Sequence, residues 1–136
     1  NHLKKLQLQE HIIKRKQMRM KIKQGNVYIV NLDIDSIGSE QCGQRMCVVV
    51  QRNIGNEHSA TTWIVPLTKQ QKEYDATHCL LKKDKYNFLT YDSVVLCEQL
   101  RTVDKKLRLE RMVGWIDKQD LLHIIEKIDE NLKIEC

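Results

Sequence analysis

Arg45 and Thr68 are the residues of this chain whose types and positions best suit chemistry on an anion. Arg45 follows the polar segment GSEQCGQ at 38–44 and precedes the apolar run Val48-Val49-Val50, which reads as a buried strand because it is short, β-branched and bounded by turn residues. A guanidinium at a strand entrance can face a groove while the chain behind it is anchored. Its planar fork of N–H donors matches the oxygens of a phosphate. Thr68 closes a second run, ATTWIVPLT at 60–68. Antiparallel pairing of 45–52 with 61–68 through the turn IGNEHS sets Arg45 opposite or near Thr68, so a cationic fork and a hydroxyl would share one small site. Threonine at a strand end is common, and the pair by itself identifies no activity. A third polar group, Glu98-Gln99 with Arg101, emerges from a later apolar run.

Other catalytic devices are missing. No P-loop, HExxH, GxSxG or EF-hand pattern occurs, and carboxylates do not cluster with histidines at metal-ligand spacing, so neither a metal nor another cofactor is expected. His2, His11 and His123 fall on helical segments, His58 in a turn and His78 at a strand start. Each reads as a surface or structural histidine, with His78 the least settled. The five cysteines are scattered, odd in number and without a CxxC pair, which points to reduced thiols rather than a disulfide framework or a zinc site. No apolar stretch approaches the roughly 18 to 20 residues that span a bilayer, and the first residues lack the apolar core of a signal peptide. A soluble, cytoplasmic protein is expected.

The elements that must position these residues come next. A chain of 136 residues with 41% hydrophobic content fits one domain and one core. The net charge of +5 is unevenly placed: residues 1–24 hold eight Lys/Arg and one acid, whereas 25–136 hold fifteen Lys/Arg and seventeen Asp/Glu. The basic character belongs to a helical N-terminal extension, 1–24, and the body is 25–136. The extension has no Gly or Pro and is rich in helix formers, with a partial apolar stripe of Leu3, Leu6, Ile13 and Met20 interrupted by Glu10 and Gln17. A solvated or loosely packed leader, a basic arm on RNA phosphates and a partner-binding helix all fit that pattern.

Gly25 ends the helix, and NVYIVNLD follows as a strand with Val27, Ile29 and Leu32 facing inward. After the polar loop come RMCVVVQRN, the turn and ATTWIVPLT, where Pro66 predicts an edge strand or a kink. A polar connection at 69–77 leads to the short strand HCLL and then to SVVLCEQLRTVD, the longest late strand. Asp104 can cap a short helix beginning KKLRLERM. Asp117 can cap the last helix, where Leu121, Leu122, Ile125, Ile128 and Leu132 recur at helical spacing. Five or six short strands followed by helices give a mainly β, α+β fold, a small bent antiparallel sheet or barrel with helical flanks.

The string GSEQCGQR, the turn QRNIGN, the threonine ending IVPLT and the segment DSVVLCEQLRTVDKKLRL together resemble the MazF/PemK family of toxin endoribonucleases. The similarity begins near Met20 or Gly25, runs to about Ile134, and leaves the basic helix outside. It implies a compact SH3-like or CcdB-like β-barrel, a homodimer, and metal-independent cleavage of single-stranded RNA to 2′,3′-cyclic phosphate and 5′-hydroxyl ends. It also implies a cognate antitoxin whose C-terminal segment blocks the same groove. By the same resemblance Arg45 and Thr68 are catalytic, the loop residues Ser39, Glu40 and Gln41 border the RNA path, and Gln99 helps hold the RNA. Two positions depart from the family pattern: Cys42 stands where glycine is usual and Met46 where proline is usual. Neither change removes a functional group, so the expected effect is on sequence preference.

Two other functions compete with this one. A non-catalytic, CcdB-like poison of gyrase would act through its C-terminal helix without needing Arg45 and Thr68, and an SH3-like module would bind a peptide. For the extension, deleting residues 1–19 separates the alternatives. Weaker RNA binding with a shallower salt dependence marks an arm on phosphates, and an unchanged slope marks packing.

Overall fold

The computed structural model describes residues 1–19, 21–32, 37–38, 40, 43–69 and 77–135, with the side chains of 11–19 outside the description. The chain begins with α1 (His2–Arg19), whose residues 2–10 are exposed, Leu3 and Leu6 of the expected stripe included. Strands β1 (Asn26–Asn31), β2 (Gln44–Val49) and β3 (Thr61–Lys69) follow, with a short helix α2 (Asn53–His58) between the last two. Then come β4 (His78–Leu81), β5 (Ser93–Leu96), one turn of 3-10 helix at Cys97–Gln99, β6 (Arg101–Asp104), α3 (Lys105–Arg108), β7 (Leu109–Trp115) and α4 (Lys118–Asn131).

The seven strands form one antiparallel sheet in the order β4-β5-β3-β2-β1-β7, with β6 joined to β3. β4 and β7 end that path, so the expected barrel is an open, bent sheet. The mainly β fold with helical additions is otherwise as anticipated. The inner strands bury successive residues, as β5 does throughout and β3 over 64–67, because two cores flank the sheet. Val27, Val48, Val65, Leu67 and Ile124 belong to one, and Tyr28, Val30, Leu32, Cys47, Val49 and Ile64 to the other. This corrects β1: Val27 and Leu32 are buried as expected, but Tyr28 and Val30 are buried too and Ile29 is only half-buried.

β3 is the strand that everything else meets. One edge pairs with β2 through Cys47↔Pro66, Val48↔Val65 and Val49↔Ile64. The other edge pairs with β6 over 61–64 and with β5 over 67–69. Pro66 has no N–H to donate. It lies between those two ladders, where no bond on that edge is lost, so β3 is central rather than an edge strand.

Three further expectations are corrected. The turn after Gln51 is the helix α2, because Asn56 fastens it from inside. The late strand is broken into β5 and β6 by the 3-10 turn, which packs against both β3 and α4. The segment expected as one helix from Lys105 is a four-residue helix followed by β7. Asp104 does cap that helix, accepting from the N–H groups of Lys106 at 2.9 Å and Leu107 at 2.8 Å. Asp117 caps α4, accepting from the N–H of Asp120 at 2.8 Å. On α4 it is Ile124 that is fully buried, with Leu121, Ile125 and Ile128 packed beside it, whereas Leu122 and Leu132 are exposed.

Asn56 is 2% exposed and ties three elements together. Its Nδ2 donates to the carbonyl of Gln51 at 2.9 Å, and its Oδ1 accepts the hydroxyl of fully buried Thr62 at 2.6 Å. Its own carbonyl accepts Lys105 Nζ at 2.5 Å. Removing the amide leaves a buried hydroxyl and a carbonyl without partners. Asn56→Ala should therefore cost about 2 to 3 kcal/mol, read as a lower midpoint of urea unfolding with the slope unchanged.

Candidate active site

Arg45 is the second residue of β2, half-buried, and Thr68 is the penultimate residue of β3, also half-buried. Extending the β2·β3 register by two residues from Cys47↔Pro66 sets Arg45 across from Thr68. Directly opposed residues in an antiparallel pair project to the same face. Beyond Pro66 the strand turns to β5, Thr68 pairing with Val94 and Lys69 with Ser93. A cavity of about 220 Å³ opens here, walled by residues 44–46 of β2 and 67–69 of β3, with Thr90, Tyr91 and Ser93 at its mouth. Guanidinium, ammonium and hydroxyl groups line it. Among the described residues, no carboxylate or imidazole does.

The surroundings fix the walls. The Sγ–H of Cys47 donates to the carbonyl of Arg45 at 3.6 Å. Burial pushes that thiol up to about 12, against the pull of the Arg101 and Arg45 guanidiniums. Arg101 faces Ile64 in the β3·β6 ladder, so the same buried thiol is influenced by one arginine on its own strand and one on β6, across β3. At the mouth, Lys69 Nζ lies over the ring of Tyr91, 4.2 Å from its centroid. Ser93 Oγ donates to the carbonyl of Tyr91 at 2.9 Å, and Asp92 Oδ1 accepts the N–H of Lys83 at 2.9 Å. The loop that carries Tyr91 is therefore tethered on both sides of the residue after it.

Arg45 and Thr68 thus meet in one cavity. Of the other site residues picked from sequence, the two described ones, Glu40 and Gln99, are not part of the cavity lining. Glu40 is exposed, its N–H donating to the carbonyl of Ile37 at 3.1 Å. Ser39 and Gln41 lie outside the described residues, as does Cys42. Gln99, half-buried, ends the 3-10 turn and is not part of the cavity lining. Glu98 holds His78, whose Nε2 is 3.2 Å from the carboxylate, and accepts Thr77 Oγ1 at 3.3 Å. His78 is therefore half of an ion pair or hydrogen bond at the start of β4. Sequence reasoning missed Lys69 and Tyr91. The one signal available was a tyrosine two positions before a strand, in a connection that holds other aromatic residues as well.

Residues 23–132 match the family described as PemK-like, MazF-like toxins of type II toxin-antitoxin systems. The chain is similar to the endoribonuclease EndoA of Bacillus subtilis (strain 168), 39% identical over 116 residues, covering 85% of this chain and 94% of that protein. It is 36% identical over 112 residues to the endoribonuclease MazF of Staphylococcus epidermidis, covering 82% and 91%. In fold it resembles the crystal structure of MazF from Deinococcus radiodurans, with a TM-score of 0.67 at 19% identity over 82% of this chain and 96% of that one. A mycobacterial endoribonuclease in complex with its cognate antitoxin superposes with a TM-score of 0.63 at 19% identity, covering 84% and 99%.

Cys47 reports on this region. Its thiol is fully buried and should stay unmodified when the folded protein is alkylated at pH 8 and its peptides are mapped by mass. Because the folded value is raised above the ordinary 9.0 to about 12, the unfolded chain gives up a proton that the folded chain keeps. The thiol's contribution to stability is intact below about pH 9 and is lost as the pH climbs toward 12. Cys47→Ala should flatten the fall in denaturation midpoint across that window.

Proposed function

The chain belongs to the PemK-like, MazF-like toxin family of type II toxin-antitoxin systems, and from that membership we propose that it is an endoribonuclease. Its substrate in this reading is single-stranded mRNA, cut at short sequences in the cytoplasm without a metal ion. The observation that carries the reading is the single cavity shared by Arg45 and Thr68. Its cationic and hydroxyl lining suits a phosphodiester, and among its described residues there is no carboxylate set for a metal.

In the proposed reaction the 2′-oxygen of the nucleotide before the cut attacks phosphorus and the bond to the 5′-oxygen breaks. A 2′,3′-cyclic phosphate and a 5′-hydroxyl result. One proton leaves the 2′-hydroxyl and one reaches the departing 5′-oxygen, so no net proton is consumed. The Arg45 guanidinium donates hydrogen bonds to the phosphoryl oxygens as charge grows on them, a contribution of about 2.7 to 4 kcal/mol for one preorganised donor. Its role is charge stabilisation rather than proton transfer, because an arginine keeps its proton at neutral pH. The Thr68 hydroxyl aligns the scissile phosphate or the 2′-oxygen. Ser39, Glu40 and Gln41 are proposed to border the RNA path, and Gln99 to help hold the RNA.

The partners in this reading are a second copy of the chain and a cognate antitoxin that covers the RNA groove. Exposed Leu122 on α4 and Leu132 just after it are apolar area for a dimer to cover, and light scattering at micromolar concentration should give twice the mass of one chain. A monomer there removes the dimer.

Incubating the protein with a long RNA in EDTA and mapping the new 5′ ends should give discrete cuts bearing 5′-hydroxyls. Arg45→Ala should lower kcat by about 100- to 1,000-fold, and Thr68→Ala should also reduce it, with urea midpoints unchanged in both. An oligonucleotide with deoxyribose at the cleaved position should bind and remain intact, since it lacks the nucleophile. Uncut RNA at high enzyme concentration overturns the proposal.

A further inference from the structure

The mouth of the cavity holds an aromatic side chain that neither core uses. Tyr91 is 52% exposed, although a ring of its size is normally covered or given a task. It stands beside Lys69, and both line the cavity that contains Arg45 and Thr68. The strand register explains the juxtaposition. Lys69 faces Ser93 across β3·β5, and Tyr91 lies two residues before Ser93, so the lysine reaches diagonally over the ring to 4.2 Å from its centroid. The backbone beneath the ring is fixed by the Ser93 Oγ bond to the Tyr91 carbonyl and by the Lys83 bond to Asp92. The ring is therefore presented at the mouth by a tethered loop, with a cation holding one of its faces.

We infer that Tyr91, backed by Lys69, is a stacking platform for the nucleobase next to the scissile phosphate, and so is a binding residue of this enzyme. The inference rests on the ribonuclease reading of the same cavity. Single-stranded RNA is gripped by stacking its unpaired bases on aromatic faces while lysine and arginine follow the backbone. A ring beside the guanidinium and hydroxyl that address the phosphate satisfies both halves of that arrangement. It would hold one nucleotide beside Arg45 equally well before and during the reaction, a contact that sets KM rather than kcat. Lys69 acts twice, polarising the ring from one face and supplying positive charge along the backbone.

The test compares Tyr91→Phe, Tyr91→Leu and Lys69→Gln with the wild type on a short RNA carrying one mapped cut, with and without the base removed from each nucleotide flanking it. Tyr91→Phe should stay within about twofold of wild type, whereas Tyr91→Leu should raise KM by about 5- to 100-fold, the range expected for one lost base–aromatic stack. Its kcat should be nearly unchanged. Removing the partner base should raise the wild-type KM similarly and add little further in Tyr91→Leu, because both changes delete one contact. Lys69→Gln should make the salt dependence of binding shallower by about 0.7 in log-log slope. An unchanged KM in Tyr91→Leu, an equal loss in Tyr91→Phe, or full additivity with base removal overturns the platform while leaving the ribonuclease reading standing. Failure of the wild type to cut any RNA overturns that reading instead. In that event, anisotropy with a single-stranded deoxyoligonucleotide still decides the platform through the loss, or not, of affinity in Tyr91→Leu.

Discussion

The geometry of this molecule turns on β3 having two partners along one edge. Up to Ile64 that edge is occupied by β6, and from Leu67 onward by β5. The β2 ladder on the opposite edge ends at Cys47↔Pro66, and the two partners meet their shared edge on either side of that proline. A residue with a free N–H would have needed a partner on that edge. Proline removes the need and fixes its own φ in extended backbone. Beyond Pro66 the strand pairs with β5 while the β2 ladder has ended, and there Thr68 and Lys69 line the cavity with Arg45.

That arrangement lasts only because the frame around it is pinned. Gly25, at φ +91°, donates its N–H to the carbonyl of Val49 at 2.8 Å and accepts the N–H of Ile116 at 2.9 Å. It links the end of β2 to the end of β7 in a backbone conformation that other residues rarely adopt. The far side of the molecule is closed by Tyr86, whose hydroxyl donates to the Asp120 carboxylate and accepts the N–H of Asp117 at 3.1 Å. Lys85 bridges both aspartates at 2.5 and 3.0 Å. Burial and the Asp120 carboxylate push the Tyr86 hydroxyl up to about 12, so it stays protonated and able to donate throughout the physiological range. α4 is thereby held against the sheet by its capped first turn as well as by Ile124.

The parts legible in the sequence were those governed by local chemistry. Asp104 and Asp117 announce helix starts because a carboxylate before a helical run has one favoured use. The register that brings Arg45 opposite Thr68 follows from two apolar runs and the short segment between them. What could not be seen depended on contacts far apart in the chain. SVVLCEQLRTVD looks like one continuous strand, yet it divides because β5 and β6 serve different stretches of β3. β7 was hidden because LERMVGW has no clean alternation, its ladder with β1 being irregular at two places. Asn56 makes a helix of what composition marks as a turn, through a hydrogen bond to Thr62 that no local pattern encodes. Lys69 and Tyr91 share a site only because β3 and β5 pair.

Net charge is a poor guide to what such a cavity attracts. The body from residue 25 onward is slightly acidic, yet Arg45 and Lys69 line its opening and no described residue there carries negative charge. A polyanion responds to the local field in a cleft more than to a distant sum, because water and salt screen exposed charges within about 10 Å at 0.1 M ionic strength. The same lining limits how the site can work. None of its described groups is an imidazole or a carboxylate, the usual kinds for relaying protons near neutral pH. In the proposed reaction those groups act by holding the phosphate in line and neutralising charge as it develops. A site that works in that way tolerates little slack in where the substrate sits, and the β3 pairings on either side of Pro66 and the tethered loop before β5 are what hold its walls.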